Sequence, residues 1–371
     1  MNKFNSEMGN NSSSSFSGKK YSGIAERADF TSHGPKHLPT NWWQHEEHQY
    51  AVAACFINGV YVLEHDRREG GIGERALAPP WWESFGYVLL KELISPDDDG
   101  IFGAIYQRTI HLDAPETPFL VLAFRGMVTD CDRRTVLNMP FGGLAWSNNF
   151  KVALEAVHRL SLLCGQENKI WLCGHSLGAA IGLLVGKIKA KGGIYLDTFL
   201  FNPPIVLDHL GKGVLDLFKN TTFINPLGFI AWNMFVNAQK EAVSSDAGQK
   251  AFQNLVKWQP RFLLNPGDFI CSGYIKYYHQ RDMAKIPLFS WPNWMPQLNP
   301  TAGPQFEELH LPYVTPSACL ILNMAEKGAG ECHGIKQWWD DDLILEYKHH
   351  GHRTEIVSTT IICALPLAPN E

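Results

Sequence analysis

The feature that most constrains the fold is a five-residue turn, Gly-His-Ser-Leu-Gly at positions 174–178, between two apolar segments. The apolar run at 170–173 precedes the turn, and apolar residues follow it at helical spacing as far as position 188. A short apolar run that ends at glycine is typical of a buried strand, and the later spacing is typical of a helix packed on a core. The segment is therefore predicted to be a strand, a tight turn and a helix.

Other segments repeat this alternation. The continuous apolar run at 119–124 predicts a strand that is buried on both faces, and residues 149–165 carry apolar side chains at helical spacing. Further strands are predicted at 196–201 and 261–264, each followed by a turn that contains proline. Strands that alternate with helices over short connections predict an α/β fold with a mainly parallel, doubly wound sheet.

Five segments fall outside this alternation. Residues 51–63 are predicted to form a buried helix, and residues 102–107 a strand at the edge of the sheet. The turn at 97–100 is predicted to end a helical segment. The stretches at 127–148 and 205–260 interrupt the alternation and are predicted to be cap-like insertions over a site. For the second stretch, a buried helix of an accessory layer is an equal alternative.

Composition divides the chain into three parts. Residues 1–30 are rich in Asn and Ser and are predicted to be disordered, because such a segment cannot bury enough surface to offset its ordering entropy. Residues 31–348 are predicted to form one α/β domain that contains both insertions. Residues 349–371 are a tail of uncertain structure.

Charge and hydropathy exclude several function classes. The chain of 371 residues has 32 basic and 37 acidic residues and a net charge of −5, so it lacks the basic excess that nucleic-acid binding requires. No uninterrupted apolar run reaches about 18 residues, so no transmembrane segment is predicted. The N-terminus lacks the apolar region of a secretory signal. We therefore expect a cytoplasmic protein.

Ser176 is the candidate nucleophile of the turn, with Gly174, His175 and Gly178 completing a nucleophile elbow. Glycine on either side leaves room for a sharp turn, in which the serine takes a strained backbone conformation. The hydroxyl then lies at a helix N-terminus, where free N–H groups stabilise a developing oxyanion. The alternative is a merely structural turn.

A serine hydroxyl becomes nucleophilic when a histidine, oriented by a carboxylate, accepts its proton. In a fold of this type, the acid follows a later strand and precedes the histidine in the chain. Asp268 fits this position, because it follows the predicted strand at 261–264. Its alternative is ordinary Pro-Gly-Asp turn chemistry, and Asp197 and Asp208 are weaker candidates.

The base is sought among the six histidines that follow the acid. His333 is the candidate base, because it lies in a loop after the apolar run at 318–322, which is the expected place for a base after the last strand. His310 is the alternative base. The two expected oxyanion donors are the N–H groups of Leu177, directly after the nucleophile, and of Met127, in the loop after the strand at 119–124.

Several stretches together resemble a known family. They are 120–126 (Leu-Val-Leu-Ala-Phe-Arg-Gly), 171–180 around the serine, 201–204 (Phe-Asn-Pro-Pro), 76–82, 265–268 (Asn-Pro-Gly-Asp) and 333–339 (His-Gly-Ile-Lys-Gln-Trp-Trp). With these motifs the chain resembles the class 3 lipase family of α/β-hydrolases, and in particular its plant branch labelled esterase/lipase. The resemblance extends from about residue 33 to residue 347.

The resemblance implies an α/β-hydrolase fold and hydrolysis of carboxylic esters by Ser176, Asp268 and His333, with no metal and no other cofactor. Members of the family usually have Thr or Ser where this chain has Met127. The backbone donor is kept at this position, but a hydroxyl group is missing. We therefore expect a weakened activity, because one oxyanion donor contributes about 10²- to 10³-fold in rate.

The expected substrate is a lipid or another apolar ester, and such a substrate is compatible with peripheral contact at a membrane surface. The sequence does not identify a protein partner. Two other functions stay open at this point. One is a lipase-like scaffold that binds proteins and has little or no turnover, and the other is an acyltransferase that uses the same three residues.

Overall fold

The structure is a computed structural model that describes the chain between residues 43 and 359 with internal gaps. The described ranges are 43–71, 76, 81–109, 116–139, 143–164, 169–205, 246–282, 313–328, 330–340, 343–351 and 357–359. The N-terminal segment 1–30, predicted to be disordered, lies outside the described residues. So does most of the second predicted insertion, from 206 to 245.

Within the described residues, nine strands form one sheet, and they lie side by side in chain order. The strands are β1 (Tyr87–Ile94), β2 (Ile101–Arg108), β3 (Leu120–Phe124), β4 (Ile170–His175), β5 (Asp197–Phe201), β6 (Arg261–Leu264), β7 (Ala318–Asn323), β8 (Leu345–His350) and β9 (Val357–Thr359). The four pairings from β3 to β7 are parallel, and the two pairings at each edge are antiparallel. The predicted α/β class with a parallel sheet centre is confirmed.

Helices cover both faces of this sheet. They are α1 (Glu46–Glu69), α2 (Asp130–Asn138), α3 (Gly143–Trp146), α4 (Asn148–Leu163), α5 (Leu177–Lys191), α6 (Asp246–Lys257) and α7 (Gly273–Asp282), with short 3₁₀ helices at Trp81–Phe85 and Ile335–Trp338. Strand residues alternate between the faces. Val121 and Ala123 pack against α1, whereas Leu120, Leu122 and Phe124 face α4 and α5 on the opposite side.

Helix α1 contains the predicted buried helix at 51–63 and is fixed at its C-terminal end. The buried Glu64 carboxylate accepts hydrogen bonds from the Ile101 N–H at 2.7 Å and from the Arg67 and Arg68 side chains at 2.8 and 2.7 Å. The helix then ends at Gly70, whose φ of 68° is left-handed. These contacts join α1 to the start of β2 and set the position of its apolar face under the sheet.

The expected doubly wound order is wrong. A doubly wound sheet reverses its strand order at a switch point, whereas these strands follow one another in a single direction. Because parallel connections are almost always right-handed, such an order places α4 to α7 on one face. The other face is covered by α1, which precedes the whole sheet in the chain.

Two expectations at the N-terminal edge are also wrong. The segment before the turn at 97–100 is the strand β1 rather than a helix, and β1 pairs antiparallel with β2. The predicted edge strand at 102–107 is therefore an inner strand between β1 and β3. The sequence pattern misleads here because the outer strand β1 leaves several apolar side chains exposed, so its periodicity is not that of a half-buried strand.

The proposed boundaries of the three chain parts remain predictions. In the first insertion, 127–148, the described residues form α2 and α3. Strand β8 continues across residue 348, and β9 at 357–359 adds a further strand to the sheet beyond it. The start of the C-terminal segment therefore pairs with the sheet.

Candidate active site

The turn at 174–178 connects β4 directly to α5, and Ser176 is its sharpest point. Its φ of 52° and ψ of −122° are strained for a residue with a side chain. The Ser176 N–H donates to the Phe201 carbonyl at 2.9 Å, which fixes the turn against β5. A Cβ on Gly174 would collide with the backbone of Gly178, and a Cβ on Gly178 would collide with the carbonyl oxygens of β3 and Arg125. Both glycines are therefore required by close backbone packing.

Three predicted side chains meet at the carboxyl ends of the central strands. His333 Nε2 lies 3.0 Å from Ser176 Oγ, and His333 Nδ1 lies 2.7 Å from Asp268 Oδ2. Asp268 follows β6, and His333 lies between β7 and the 3₁₀ helix Ile335–Trp338. Since a carboxylate only accepts, His333 Nδ1 carries the proton and Nε2 is left to accept from the serine hydroxyl.

The Asp268 carboxylate is buried and held by protein donors. Burial raises the pKa of this carboxyl, but hydrogen bonds from His333, from Asn202 Nδ2 at 2.8 Å and from the Ile270 N–H at 2.9 Å lower it. The donors outweigh the burial, so the pKa of Asp268 lies below its ordinary value. The group is therefore ionised when it orients the histidine.

The loop that carries His333 is held through its backbone carbonyls. Asn202 Nδ2 donates to the Cys332 carbonyl at 2.9 Å, and Gln337 Nε2 donates to the carbonyls of Cys332 and Gly334 at 2.7 and 2.9 Å. The Asn202 oxygen in turn accepts from Trp338 Nε1 at 3.1 Å. Asn202 thus joins the acid and the histidine loop through one side chain.

Sequence reasoning missed the roles of Asn202 and Gln337, although both lie within motifs that carry the family resemblance. The signal at Asn202 is an asparagine directly before two prolines, and its φ of 46° is a conformation that Asn tolerates better than most residues. At Gln337, a buried amide beside two tryptophans indicates a hydrogen-bonded group.

The loop after β3 lies against the serine. Arg125 is buried and donates to the Gly126 carbonyl at 2.7 Å, to Asp132 Oδ2 at 2.6 Å and to the Ile101 carbonyl at 2.7 Å. In a trans peptide the C=O and the following N–H point in opposite directions. Arg125 therefore orients the Met127 N–H away from its own guanidinium group.

The two expected oxyanion donors differ in their surroundings. Leu177 is buried and begins α5, so its N–H has no acceptor within its own helix. The Met127 side chain is 37% exposed. Within the described ranges, neither N–H has a backbone acceptor. The alternative base, His310, lies outside the described residues.

No group of three or more His, Cys, Asp or Glu side chains that could hold a metal ion occurs in the described part of the chain. The helices of that part are all too short or too polar to cross a membrane.

Comparison with known proteins finds a relative whose sequence aligns with nearly the whole chain. A protein of Arabidopsis thaliana named GDSL esterase/lipase is 31% identical over an alignment of 353 positions, and the alignment covers 89% of this chain and 99% of the relative. This chain belongs to the same esterase/lipase family. No family model matches the sequence, and no solved structure gives a significant match.

The relative is named after a Gly-Asp-Ser-Leu motif, whereas this family member has Gly-His-Ser-Leu-Gly at 174–178 and no Gly-Asp-Ser-Leu sequence. The relative's name is thus not that of a class 3 lipase. The comparison therefore shows that the chain belongs to an esterase/lipase family. It does not show to which class of esterase/lipase the chain belongs.

Proposed function

We propose that the protein is a serine carboxylic-ester hydrolase of the class 3 lipase type, which acts through an acyl-enzyme on Ser176. The observation that carries this proposal is the continuous hydrogen-bonded line from Ser176 Oγ through His333 to Asp268, with distances of 3.0 and 2.7 Å. Membership of the esterase/lipase family supports the reaction class. The strained serine between β4 and α5 supports the α/β-hydrolase type of fold.

In this mechanism Ser176 Oγ attacks the acyl carbonyl of the ester while His333 Nε2 accepts the hydroxyl proton. Asp268 holds the Nδ1–H and stabilises the imidazolium that forms. The imidazolium then protonates the leaving alcohol, and the acyl group remains on the serine. Water, activated by His333, attacks the acyl-enzyme and releases the acid.

The N–H groups of Leu177 and Met127 stabilise the oxyanion of each tetrahedral intermediate. Both are backbone donors at fixed positions, the first at a helix N-terminus and the second in a loop held by Arg125. Met127 supplies no hydroxyl beside them, so we propose a hydrolase of reduced rate rather than an inactive protein.

A lipid or another apolar ester is the proposed substrate class. Support comes from apolar side chains that neighbour the site residues in the chain, since Phe269 beside Asp268 is 75% exposed and Met127 is 37% exposed. Such residues also suit a peripheral contact with a lipid surface.

A scaffold without turnover is the second candidate, and Met127 is the residue that favours it. Against it, the three reacting groups are in hydrogen-bonding order, which a binding surface does not require. An acyltransferase would use the same acyl-enzyme with an alcohol in place of water, and an assay with added alcohol acceptors separates it from a hydrolase.

Turnover of p-nitrophenyl esters of several chain lengths tests the proposal in the wild type and in Ser176→Ala. The loss is expected to be about 10⁴-fold or more. Ser161→Ala is the matched control, because this serine lies on α4 and its hydroxyl bonds only within its own helix turn and to Lys189. Equal rates in the wild type and Ser176→Ala would overturn the proposal in favour of the scaffold.

A further inference from the structure

A hydrogen-bonded pair under the elbow lies outside the three proposed reacting groups. Tyr61 on α1 and His175 at the end of β4 are both buried, and Tyr61 Oη lies 2.7 Å from His175 Nδ1. The other ring nitrogen, His175 Nε2, lies 2.7 Å from the backbone oxygen of His333. Tyr61 Oη is also 2.7 Å from the Gly126 N–H.

The donor and the acceptor of each of these hydrogen bonds follow from the groups at the two ends of the series. The His333 carbonyl only accepts, so His175 Nε2 carries a proton. Burial and the neighbouring His333 lower the pKa of His175 to about 3, so the ring is neutral and its Nδ1 is an acceptor. Tyr61 then donates its hydroxyl proton to Nδ1, and its oxygen accepts from the Gly126 N–H.

The chain of bonds therefore joins the two loops on which the proposed mechanism depends. At one end is Gly126, which precedes the proposed oxyanion donor Met127. At the other end is the backbone of the proposed base, His333. Between them lies His175, directly before Ser176, and the ring centres of His175 and His333 are 5.0 Å apart.

Packing at Gly126 makes this connection rigid. A Cβ at this position would collide with Tyr61 Oη and would lie 2.9 Å from Ser176 Cβ, so the loop is held between the tyrosine and the serine. Because the Gly126 N–H is occupied by Tyr61, it does not serve as an oxyanion donor. Tyr61 fixes the peptide before Gly126, and Arg125 fixes the peptide after it.

We infer that Tyr61 and His175 are positioning residues, which together hold the oxyanion loop and the histidine loop at a fixed distance from Ser176. The inference rests on the proposed ester hydrolysis. Neither side chain reaches the substrate, since both are buried beneath the elbow. The pair acts by keeping donor and base where the transition state needs them.

The test compares Tyr61→Phe with Tyr87→Phe in the full-length protein. Both substitutions remove a buried tyrosine hydroxyl from the α1 side of the sheet, but Tyr87 donates to the Pro118 carbonyl and not to the site. In Tyr61→Phe we expect kcat to fall about 10- to 100-fold with KM within about twofold, since displacement of a reacting group has effects of this size. In Tyr87→Phe we expect kcat within about twofold of the wild type. Similar kcat values in the two variants would overturn the inference.

Two variants of His175 test whether a side chain that keeps hydrogen-bonding groups preserves activity. His175→Leu removes both hydrogen-bonding groups, whereas His175→Gln keeps one donor and one acceptor on the side chain. We expect His175→Gln to retain more kcat than His175→Leu, and the loss in Tyr61→Phe combined with His175→Leu to be smaller than the product of the single losses. Equal losses for Leu and Gln at this position would contradict a positioning role.

Nitrogen-15 NMR of the His175 ring gives a result that does not depend on turnover. We expect a neutral ring protonated at Nε2 throughout pH 5 to 8, and a shift of the Nδ1 resonance in Tyr61→Phe. Protonation at Nδ1, or titration in this range, would overturn the inference even if a variant fails to fold. If Ser176→Ala keeps the wild-type rate, the proposed function fails; if it is inactive but Tyr61→Phe behaves like Tyr87→Phe, only the positioning role fails.

Discussion

The two halves of the candidate site are held in place in different ways. In the acid and base half, side chains fix the reacting groups directly, since Asn202 bonds to both Asp268 and the histidine loop. In the oxyanion half, the proposed donors are backbone N–H groups, and the side chains of Arg125 and Tyr61 bond to the backbone of Gly126 beside Met127. The first half matches the pattern expected of an ester hydrolase, and the second departs from it at Met127. We therefore expect substitutions in the acid and base half to lower the rate of hydrolysis strongly. We expect substitution of Met127 in the oxyanion half to raise it.

The largest effect is expected in the acid and base half, at His333. His333→Ala removes the proton acceptor, and we expect kcat/KM for p-nitrophenyl esters to fall by more than about 10⁴-fold. His310→Ala, the alternative base, is expected to keep a rate within about twofold of the wild type. The reverse result would assign the base to His310 and would contradict the geometry around Ser176.

A smaller loss is expected at Asn202, which links the two loops of the same half. Asn202→Ala removes a donor that lowers the Asp268 pKa, so we expect this pKa to rise, as carbon-13 NMR of the Asp268 carboxyl group would show. We expect kcat to fall about 10- to 100-fold. Asn254→Ala is the control for the loss of an amide donor, because Asn254 Nδ2 donates to the carbonyl of Lys191 at the C-terminal end of α5, whereas Ser176 precedes the N-terminal end of that helix. An unchanged Asp268 pKa in Asn202→Ala would show that Asn202 does not act on Asp268.

In the oxyanion half, substitution is expected to raise the rate. Met127→Thr supplies a hydroxyl beside the backbone donor, and we expect kcat to increase about 10-fold. Met127→Val has a similar shape without the hydroxyl and serves as the control. Equal rates in Thr and Val variants would mean that the missing hydroxyl does not limit turnover.

The last prediction concerns stability rather than rate, at His175, where the two halves meet. Its pKa is about 3 in the folded protein and near 6.5 in the unfolded chain, so the unfolded state binds a proton first as pH falls. Folding stability due to this residue is therefore present above pH 6.5 and is lost by about 1.4 kcal/mol per pH unit between pH 6.5 and 3. Chemical denaturation should show a shallower loss in His175→Gln than in the wild type. An identical pH dependence would mean that His175 is charged in the folded protein.

Much of the parallel centre of the fold could be predicted because its strands are continuous apolar runs. β3, β4 and β6 lie where the runs at 119–124, 170–173 and 261–264 predict them. The edge strand β1 was not predictable from its periodicity, because its outer position leaves Val88 and Leu90 exposed. Strand order was not predictable either, since the pattern of one strand carries no information on its neighbours.

At the site, the proposed reacting residues could be predicted from the sequence, but the residues that hold them in place could not. Ser176, Asp268 and His333 could be selected because each follows a predicted strand, and the structure brings the three together. The roles of Tyr61 and Asn202 depend on contacts across 114 and 66 residues of chain, from Tyr61 to His175 and from Asn202 to Asp268. Contacts at such separations depend on how α1 packs against the sheet and on the place of β5 within it. Neither produces a local pattern in the sequence.

Detection of the acyl-enzyme tests the central claim most directly. After rapid mixing with a p-nitrophenyl ester, acid quenching and proteolysis, mass spectrometry should find the acyl group on the peptide that contains Ser176. A burst of about one equivalent of p-nitrophenol should accompany it if deacylation is the slower step. A burst of p-nitrophenol without an adduct on Ser176, or an adduct on a different side chain, would contradict the account.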